Sequence, residues 1–220
     1  MICLLPESRP VYSASIGYTD RATKAAYIAA KYAPLLTSTV LDVGCDQAPL
    51  RALVGRPELY TGVDMRDTAD VVLDLDREDL PFAPQSFDTV LCTDVLEHLE
   101  RCHAVFDELC RVARRHVIIS LPNPLAVLVR ALLEGGPVKL KFYGLPAEPP
   151  PDRHRWFFGQ QDAEAFLRDR ARRNGFEIEQ LDVEDAADFH SSDPLLNAAL
   201  QHPNVRNGIT WCVLRRKSST

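Results

Sequence analysis

The chain has 220 residues, 46% of them hydrophobic, and a net charge of −6. This is enough apolar material for one sizeable α/β core, and an acidic balance with no stripe of Lys or Arg argues against a protein that grips long nucleic acid by its phosphates. No apolar run is long enough to span a bilayer, residues 1–10 lack the basic lead of a secretory signal, and the six cysteines form no Cys-x-x-Cys pair, so a reducing, cytoplasmic setting is expected.

In chain order, residues 1–16 read as irregular, broken by Pro6 and Pro10. Thr19 or Asp20 can cap a helix running to Pro34, favoured by Ala22, Ala25, Ala26, Ala29, Ala30 and Ala33. Thr39-Val40-Leu41-Asp42-Val43 then reads as a buried parallel strand, with Gly44 as a tight turn and Pro49 to Val54 as the start of a helix. Leu59-Tyr60-Thr61-Gly62-Val63-Asp64 is a second strand that ends in a carboxylate. An acid at that place suits a ribose diol, because a carboxylate accepts two hydroxyl hydrogen bonds. Val71-Val72-Leu73 is a short third strand, followed by Asp74-Leu75.

Strand four is read over 86–92, with Asp88 at its start as a structural residue and Thr93-Asp94-Val95 at its carboxyl end. Apolar residues recur at helical spacing over 97–113, and Arg114 and Arg115 are placed at that helix's end. Strand five is 116–121, and Pro122 and Pro124 stop it. Strand and helix alternate to this point, as in a parallel sheet built from right-handed crossovers.

Residues 125–133 can form a short helix ended by Gly135-Gly136-Pro137; 138–145 alternates, and 146–151 is rich in proline. This insertion, 125–155, is read as a lid or substrate-recognition element. A helix begins at Gln160 or Asp162 and stops near Asn174-Gly175, with Arg168, Arg170, Arg172 and Arg173 as a solvated face. Residues 176–183 alternate as strand six, a short helix fits 194–200, and strand seven is 209–215.

These segments together resemble the class I S-adenosylmethionine-dependent methyltransferases. Val40-Leu41-Asp42-Val43-Gly44-Cys45 is similar to that family's first motif, and Asp64 falls where the family holds the ribose. Asp74-Leu75-Asp76 with Leu80-Pro81-Phe82, and the run from Phe87 through Glu97-His98-Leu99, match two further segments. The resemblance implies a single domain with a Rossmann-like, seven-stranded, mostly parallel sheet. Its last strand should run antiparallel beside strand five, with helices on both faces. Residues 1–34 would form an N-terminal cap segment over the cofactor cleft, and Tyr12 and Tyr18 could touch cofactor or substrate. It implies S-adenosyl-L-methionine as cofactor and S-adenosyl-L-homocysteine as product, held by Asp42, Gly44, Cys45, Gln47, Asp64, Met65, Asp74, Leu75, Thr93 and Val95.

One departure stands out. The family usually reads Gly-Cys-Gly-x-Gly, and this chain has Gly44-Cys45-Asp46-Gln47-Ala48. Asp tolerates left-handed backbone better than most residues, but it sets an extra carboxylate near the cofactor's amino-acid end. A nucleotide-dependent oxidoreductase would need Gly-x-Gly-x-x-Gly here, which is lacking.

Methyl transfer from a sulfonium is an in-line displacement that needs alignment and, where the acceptor carries a proton, a base. His98 and His154 are the candidate bases, both expected near the cleft mouth. The expected acceptor is a small molecule, methylated at oxygen; Tyr143, Trp156 and Phe157, with Phe142, suit an apolar or aromatic one. The alternative is an inactive cofactor-binding partner subunit. Asp94-x-x-Glu97-His98 also resembles the Glu-x-x-Glu-His element that holds a divalent cation in ubiquinone-type catechol and small-RNA methyltransferases. The metal-free reading is favoured. Oligomeric state is not legible.

Overall fold

The computed structural model describes residues 17–133, 143–150, 152–185 and 191–218. Tyr12, Phe142, the Gly135-Gly136-Pro137 stop and most of the alternating 138–145 stretch lie outside the described residues. The strands are β1 (Val40–Val43), β2 (Tyr60–Asp64), β3 (Val71–Val72), β4 (Phe87–Thr93), β5 (Ala113–Leu121), β6 (Phe176–Asp185) and β7 (Asn207–Arg216). The helices are α1 (Arg21–Lys31), α2 (Cys102–Val112), α3 (Pro124–Leu133), α4 (Gln160–Arg173), α5 (Pro194–Leu200) and α6 (Pro203–Arg206).

The strands form one seven-stranded sheet in the order β3-β2-β1-β4-β5-β7-β6. The first five are parallel, and β7 runs antiparallel between β5 and β6, as expected. Side chains alternate across the sheet. Leu41, Val43, Val90, Cys92, Val117 and Ile119 pack with α2 and α4 on one face. Val40, Leu91, Ile118 and Trp211 pack with Ala25, Ile28 and Tyr32 on the other. Burial on both faces is why these strands read as unbroken apolar runs rather than alternating ones.

Three local expectations are corrected. Residues 49–54 form turns, not a helix. Pro49 and Gly55 bracket a stretch too short to nucleate one, and Arg51 and Leu53 bond back only three residues, to Ala48 and Leu50. The helix expected over 97–113 starts only at Cys102; a separate 3-10 turn covers Leu96–His98. Tertiary partners pull that stretch out of register, since the Glu97 carbonyl accepts from the Arg155 N–H at 2.7 Å and the Arg101 N–H donates to Asp76. Arg114 and Arg115 do not end the helix; they lie in β5, where both face Asp88. Asp88 also accepts from the Ser38 and Thr39 hydroxyls, a structural role far from the strand ends that matter below.

Order reverses between β1 and β4: the chain builds outward through β2 and β3, then returns to the other side of β1. Open α/β sheets bind ligands at the carboxyl ends of strands at such a reversal.

Candidate active-site cleft

The register assembles the cleft. Val43 pairs with Val63 on β2 and with Cys92 on β4. The residues that follow, Gly44, Asp64 and Thr93, therefore leave the sheet side by side. A cleft of 680 Å³ opens there, roofed by Tyr18, Arg21 and Lys24 from the α1 region.

Gly44 has φ of +81°, and a Cβ there would lie 2.2 Å from Val95 Cγ2. Only glycine lets the turn pass this close to the β4 end. The next two family glycines are Asp46 and Ala48, and both hold φ of +52°. The loop thus keeps a glycine geometry without glycine, at a strain of about 1 kcal/mol per residue. The Asp46 carboxylate does not stand alone in the cleft: Arg21 Nη1 meets it at 2.6 Å and Arg66 Nε at 2.7 Å.

Asp64 is aimed by two backbone donors. The Asp46 N–H reaches its Oδ2 at 2.8 Å, and the Arg66 N–H its Oδ1 at 3.1 Å. Asp42 is 8% exposed and accepts from the Tyr60 hydroxyl at 2.5 Å. Burial outweighs that bond and pushes its carboxyl up to about 6. Burial likewise raises the Cys45 thiol to about 12, so no thiolate nucleophile is present there.

Of the residues expected to hold a cofactor, Asp42, Gly44, Cys45, Asp64, Met65, Leu75, Thr93 and Val95 line the cleft, as do His98 and His154. Gln47 and Asp74 do not. Gln47 is exposed on the outside of the loop. Asp74 turns away to cap its own turn, accepting from the Asp76 N–H and pairing with Arg77; Leu73 and Leu75 present the apolar wall instead. Lys24, Arg21, Arg66 and Asp152 enter the cleft with no signal in the sequence, because each is an isolated charge brought in from another element.

Two polar clusters stand at the β4 end. In the first, Lys24 Nζ donates to Asp94 Oδ2 at 2.6 Å and to the Thr93 carbonyl, and the Ser120 hydroxyl donates to Asp94 Oδ1 at 2.5 Å. In the second, one donor atom each from Glu97, His98 and His154 lie within 4.8 Å of one another. The structure therefore joins Glu97 and His98 to His154, and the trio read from the sequence with Asp94 is corrected. Glu97 is 2% exposed, and its Oε2 has no hydrogen-bond partner. Burial first, and the Asp94 charge second, hold its carboxyl well above the usual carboxylate range.

Both imidazoles are oriented from behind. His98 Nδ1 lies 2.7 Å from Asp152 Oδ1, and a carboxylate only accepts, so Nδ1 carries the proton and Nε2 faces Glu97 at 3.8 Å. The Tyr143 hydroxyl spends its single proton on the Trp156 carbonyl at 2.6 Å, so the 2.9 Å contact with His154 has Nδ1–H as donor. In the neutral rings Nε2 carries the lone pair in both. Behind Glu97 lies a second, mostly apolar cavity of 190 Å³, lined by Leu96, Trp156, Phe157 and Phe166 among others.

The chain is similar to known proteins in two ways. A methyltransferase domain family matches residues 41–121. Among solved structures, an S-adenosylmethionine-dependent methyltransferase from Archaeoglobus fulgidus aligns with a TM-score of 0.59 and 16% identity, over 90% of this chain and 95% of that one. Magnesium protoporphyrin IX methyltransferase from Synechocystis PCC 6803 with bound S-adenosylhomocysteine aligns at 0.54 and 18%, over 89% and 83%. The small RNA methyltransferase HEN1 aligns at 0.57 and 15%, over 94% of this chain and 27% of that one. No curated protein matches at a significant level. With a methyltransferase domain matched from β1 to β5 and an antiparallel β7 closing the sheet, the chain has the Rossmann-like fold of these methyltransferases.

Proposed function

We propose that the protein transfers a methyl group from S-adenosyl-L-methionine to an oxygen of a small-molecule acceptor. One observation carries this reading: the register sets Asp42, the Gly44 turn and the backbone-held Asp64 carboxylate in a row along one cleft. Residues Met65, Leu73 and Leu75 extend that row as an apolar wall. Asp64 suits the ribose hydroxyls, the wall suits the adenine, and Asp42 suits the ammonium of the amino-acid end. When bound, S-adenosylmethionine supplies an electrophilic methyl on a sulfonium and leaves as S-adenosylhomocysteine.

The other end of the cleft is occupied by the Glu97, His98 and His154 cluster, and the apolar cavity adjoins it. An acceptor hydroxyl placed there would give up its proton at this cluster, while an apolar or aromatic body sits against Trp156 and Phe157. Asp152 and His154 belong to the 125–155 insertion, which supports the insertion as the substrate-side element, and Tyr18, Arg21 and Lys24 over the cleft support a cap role for the described part of residues 1–34. No helix among the described residues is long and apolar enough to cross a membrane. The net charge of −6 and the lack of a Lys/Arg stripe along the sequence favour a small acceptor over a long nucleic acid.

The test is thermal and chemical together. S-adenosylhomocysteine should raise the melting temperature while NAD does not. Pooled small alcohols and phenols should take label from methyl-labelled cofactor. Stabilisation without transfer to any acceptor would favour the inactive partner-subunit reading, and no stabilisation would reject the cofactor assignment.

A further inference from the structure

We propose that Asp46 is a positioning residue for the cofactor: its carboxylate latches the first turn of α1 across the cleft, so that cofactor enters and leaves only when this latch opens. The inference rests on the cofactor assignment proposed above, and three observations carry it. The first is the backbone. Asp46 holds φ of +52°, a conformation that glycine adopts with less strain. A side chain kept at a strained turn points to a role that outweighs the strain. The second is what that side chain does. Its Oδ2 meets Arg21 Nη1 at 2.6 Å, and its Oδ1 meets Arg66 Nε at 2.7 Å. One carboxylate thus joins the turn after β1, the segment after β2 and the start of α1. The backbone N–H groups of Asp46 and Arg66 are also the two donors that aim Asp64. The Asp46–Arg66 pair therefore braces the carboxylate proposed for the ribose, while Arg21 ties in the cap.

The third observation is how lightly that turn is held otherwise. Arg21, Ala22 and Thr23 are exposed, and Ala25 is the first buried residue of α1. Apolar packing begins there and continues through Ile28 to Tyr32. Ahead of Ala25 the ties are charges: Arg21 to Asp46, and Lys24 to Asp94 and the Thr93 carbonyl. The Asp46 side chain is 18% exposed, but those of Arg21 and Arg66 are 70% and 53% exposed. Asp46 Oδ1 gains no aligned hydrogen-bond donor, so its contact with Arg66 is Coulombic. Exposed pairs of this kind break readily and are screened by salt. A helix end held this way opens locally, while Lys31 and the apolar face keep the rest of α1 in place. Arg21 and Arg66 both line the cleft, so opening clears its mouth without unfolding the cap.

The experiment follows cofactor exchange and cap opening on the full chain. Surface plasmon resonance with S-adenosylhomocysteine reads association and dissociation rates, and hydrogen exchange reads the amides of residues 21–25 in the free protein. Asp46→Asn removes the charge and keeps a residue that tolerates this φ, so it is expected to fold, which circular dichroism checks. It should raise both rates by roughly threefold to tenfold, leave affinity within about threefold, and speed hydrogen exchange at 21–25 by about threefold or more. Arg21→Gln should do the same, and the double variant should go no further, because both changes break one contact. Raising NaCl from about 0.05 M to about 0.5 M should speed exchange in wild type more than in Asp46→Asn. Rates and hydrogen exchange like wild type in folded Asp46→Asn would overturn the proposal. So would a loss of affinity of about tenfold or more in Arg21→Gln with normal exchange in Asp46→Asn, which would assign Arg21 to the cofactor's carboxylate instead. No binding of S-adenosylhomocysteine by wild type would reject the cofactor assignment and the gating role with it, whereas hydrogen exchange in the free chain decides the latch by itself.

Discussion

Asp42 shows how one residue couples burial to binding. Its carboxyl ordinarily titrates at 3.8 and is raised to about 6 by burial. Between those values the folded chain keeps a proton that the unfolded chain has lost. Stability therefore falls as pH rises from about 4 to 6 and is level above. Asp42→Asn should abolish that slope and stabilise the free protein above pH 6 by on the order of 2–3 kcal/mol, measured by urea unfolding across pH. In its proposed role the same carboxyl must be ionised to pair with the cofactor's ammonium. Wild-type affinity for S-adenosylhomocysteine should drop as pH falls below 6, and Asp42→Asn should bind weakly and without that pH dependence. Asp64 makes the complementary case. Asp64→Ala should cost roughly 1.5–3 kcal/mol of cofactor binding by calorimetry, because charge-assisted bonds to the ribose are lost. An unchanged affinity would remove Asp64 from the ribose site.

At the scale of elements, the connections decide more than the strands do. Asn123 is 3% exposed and stands at the junction of β5 and α3. Its Nδ2 donates to the Asn207 carbonyl at 2.6 Å and the Asn204 carbonyl at 3.0 Å, and its Oδ1 accepts from the Ala126 N–H. One amide caps α3 and ties it to α6 and the start of β7. Asn123→Ala should cost about 2–3 kcal/mol in chemical denaturation, since it strands two buried carbonyls and a helix-end N–H together. The sequence marks this position only as a residue between two prolines. α1 behaves in the opposite way. Its start is legible, because Asp20 caps it and exchanges bonds with Thr23 as the capping pattern implies. Its length is overestimated, because Ala33–Leu35 tightens to a 3-10 turn around Pro34.

Across the whole molecule, α1 is clamped to the far edge of the sheet as well as to the cleft. Lys31 in its last turn forms an ion pair with Asp182 on β6, a residue 2% exposed that also accepts from the Gln180 amide at 2.7 Å. Lys24, two turns earlier, holds Asp94 at the β4 end. The helix over the cleft is thereby held at both ends. Lys31→Met should destabilise the fold by on the order of 2–3 kcal/mol, because it leaves a buried carboxylate without its cation. Adding Asp182→Asn should recover most of that loss in denaturant melts. Failure of the double variant to recover would show that Lys31 acts through its packing on Tyr27 and Tyr32 instead.

What the sequence determined by itself follows from short-range rules. A strand buried on both faces must be an apolar run, so the parallel β1, β2, β4 and β5 and the antiparallel β7 could be read directly. The Gly44 turn and the Asp64 carboxylate could be read because each sits where a strand ends and chemistry is local. Tertiary structure alone decided which charges meet. Asp94 and Glu97 are close in sequence and equally suited to a cation, yet Lys24 from α1 and Ser120 from β5 claim Asp94. Glu97 instead faces His154, delivered by the insertion. Asp74 carried the right residue type at the right offset, but its side chain turned to cap its own backbone. Periodicity constrains which face a side chain takes; it carries no record of which distant charge will arrive there. In a low-dielectric cleft, that arrival settles whether a carboxylate is paired with a cation, as Asp94 is, or held protonated, as Glu97 is.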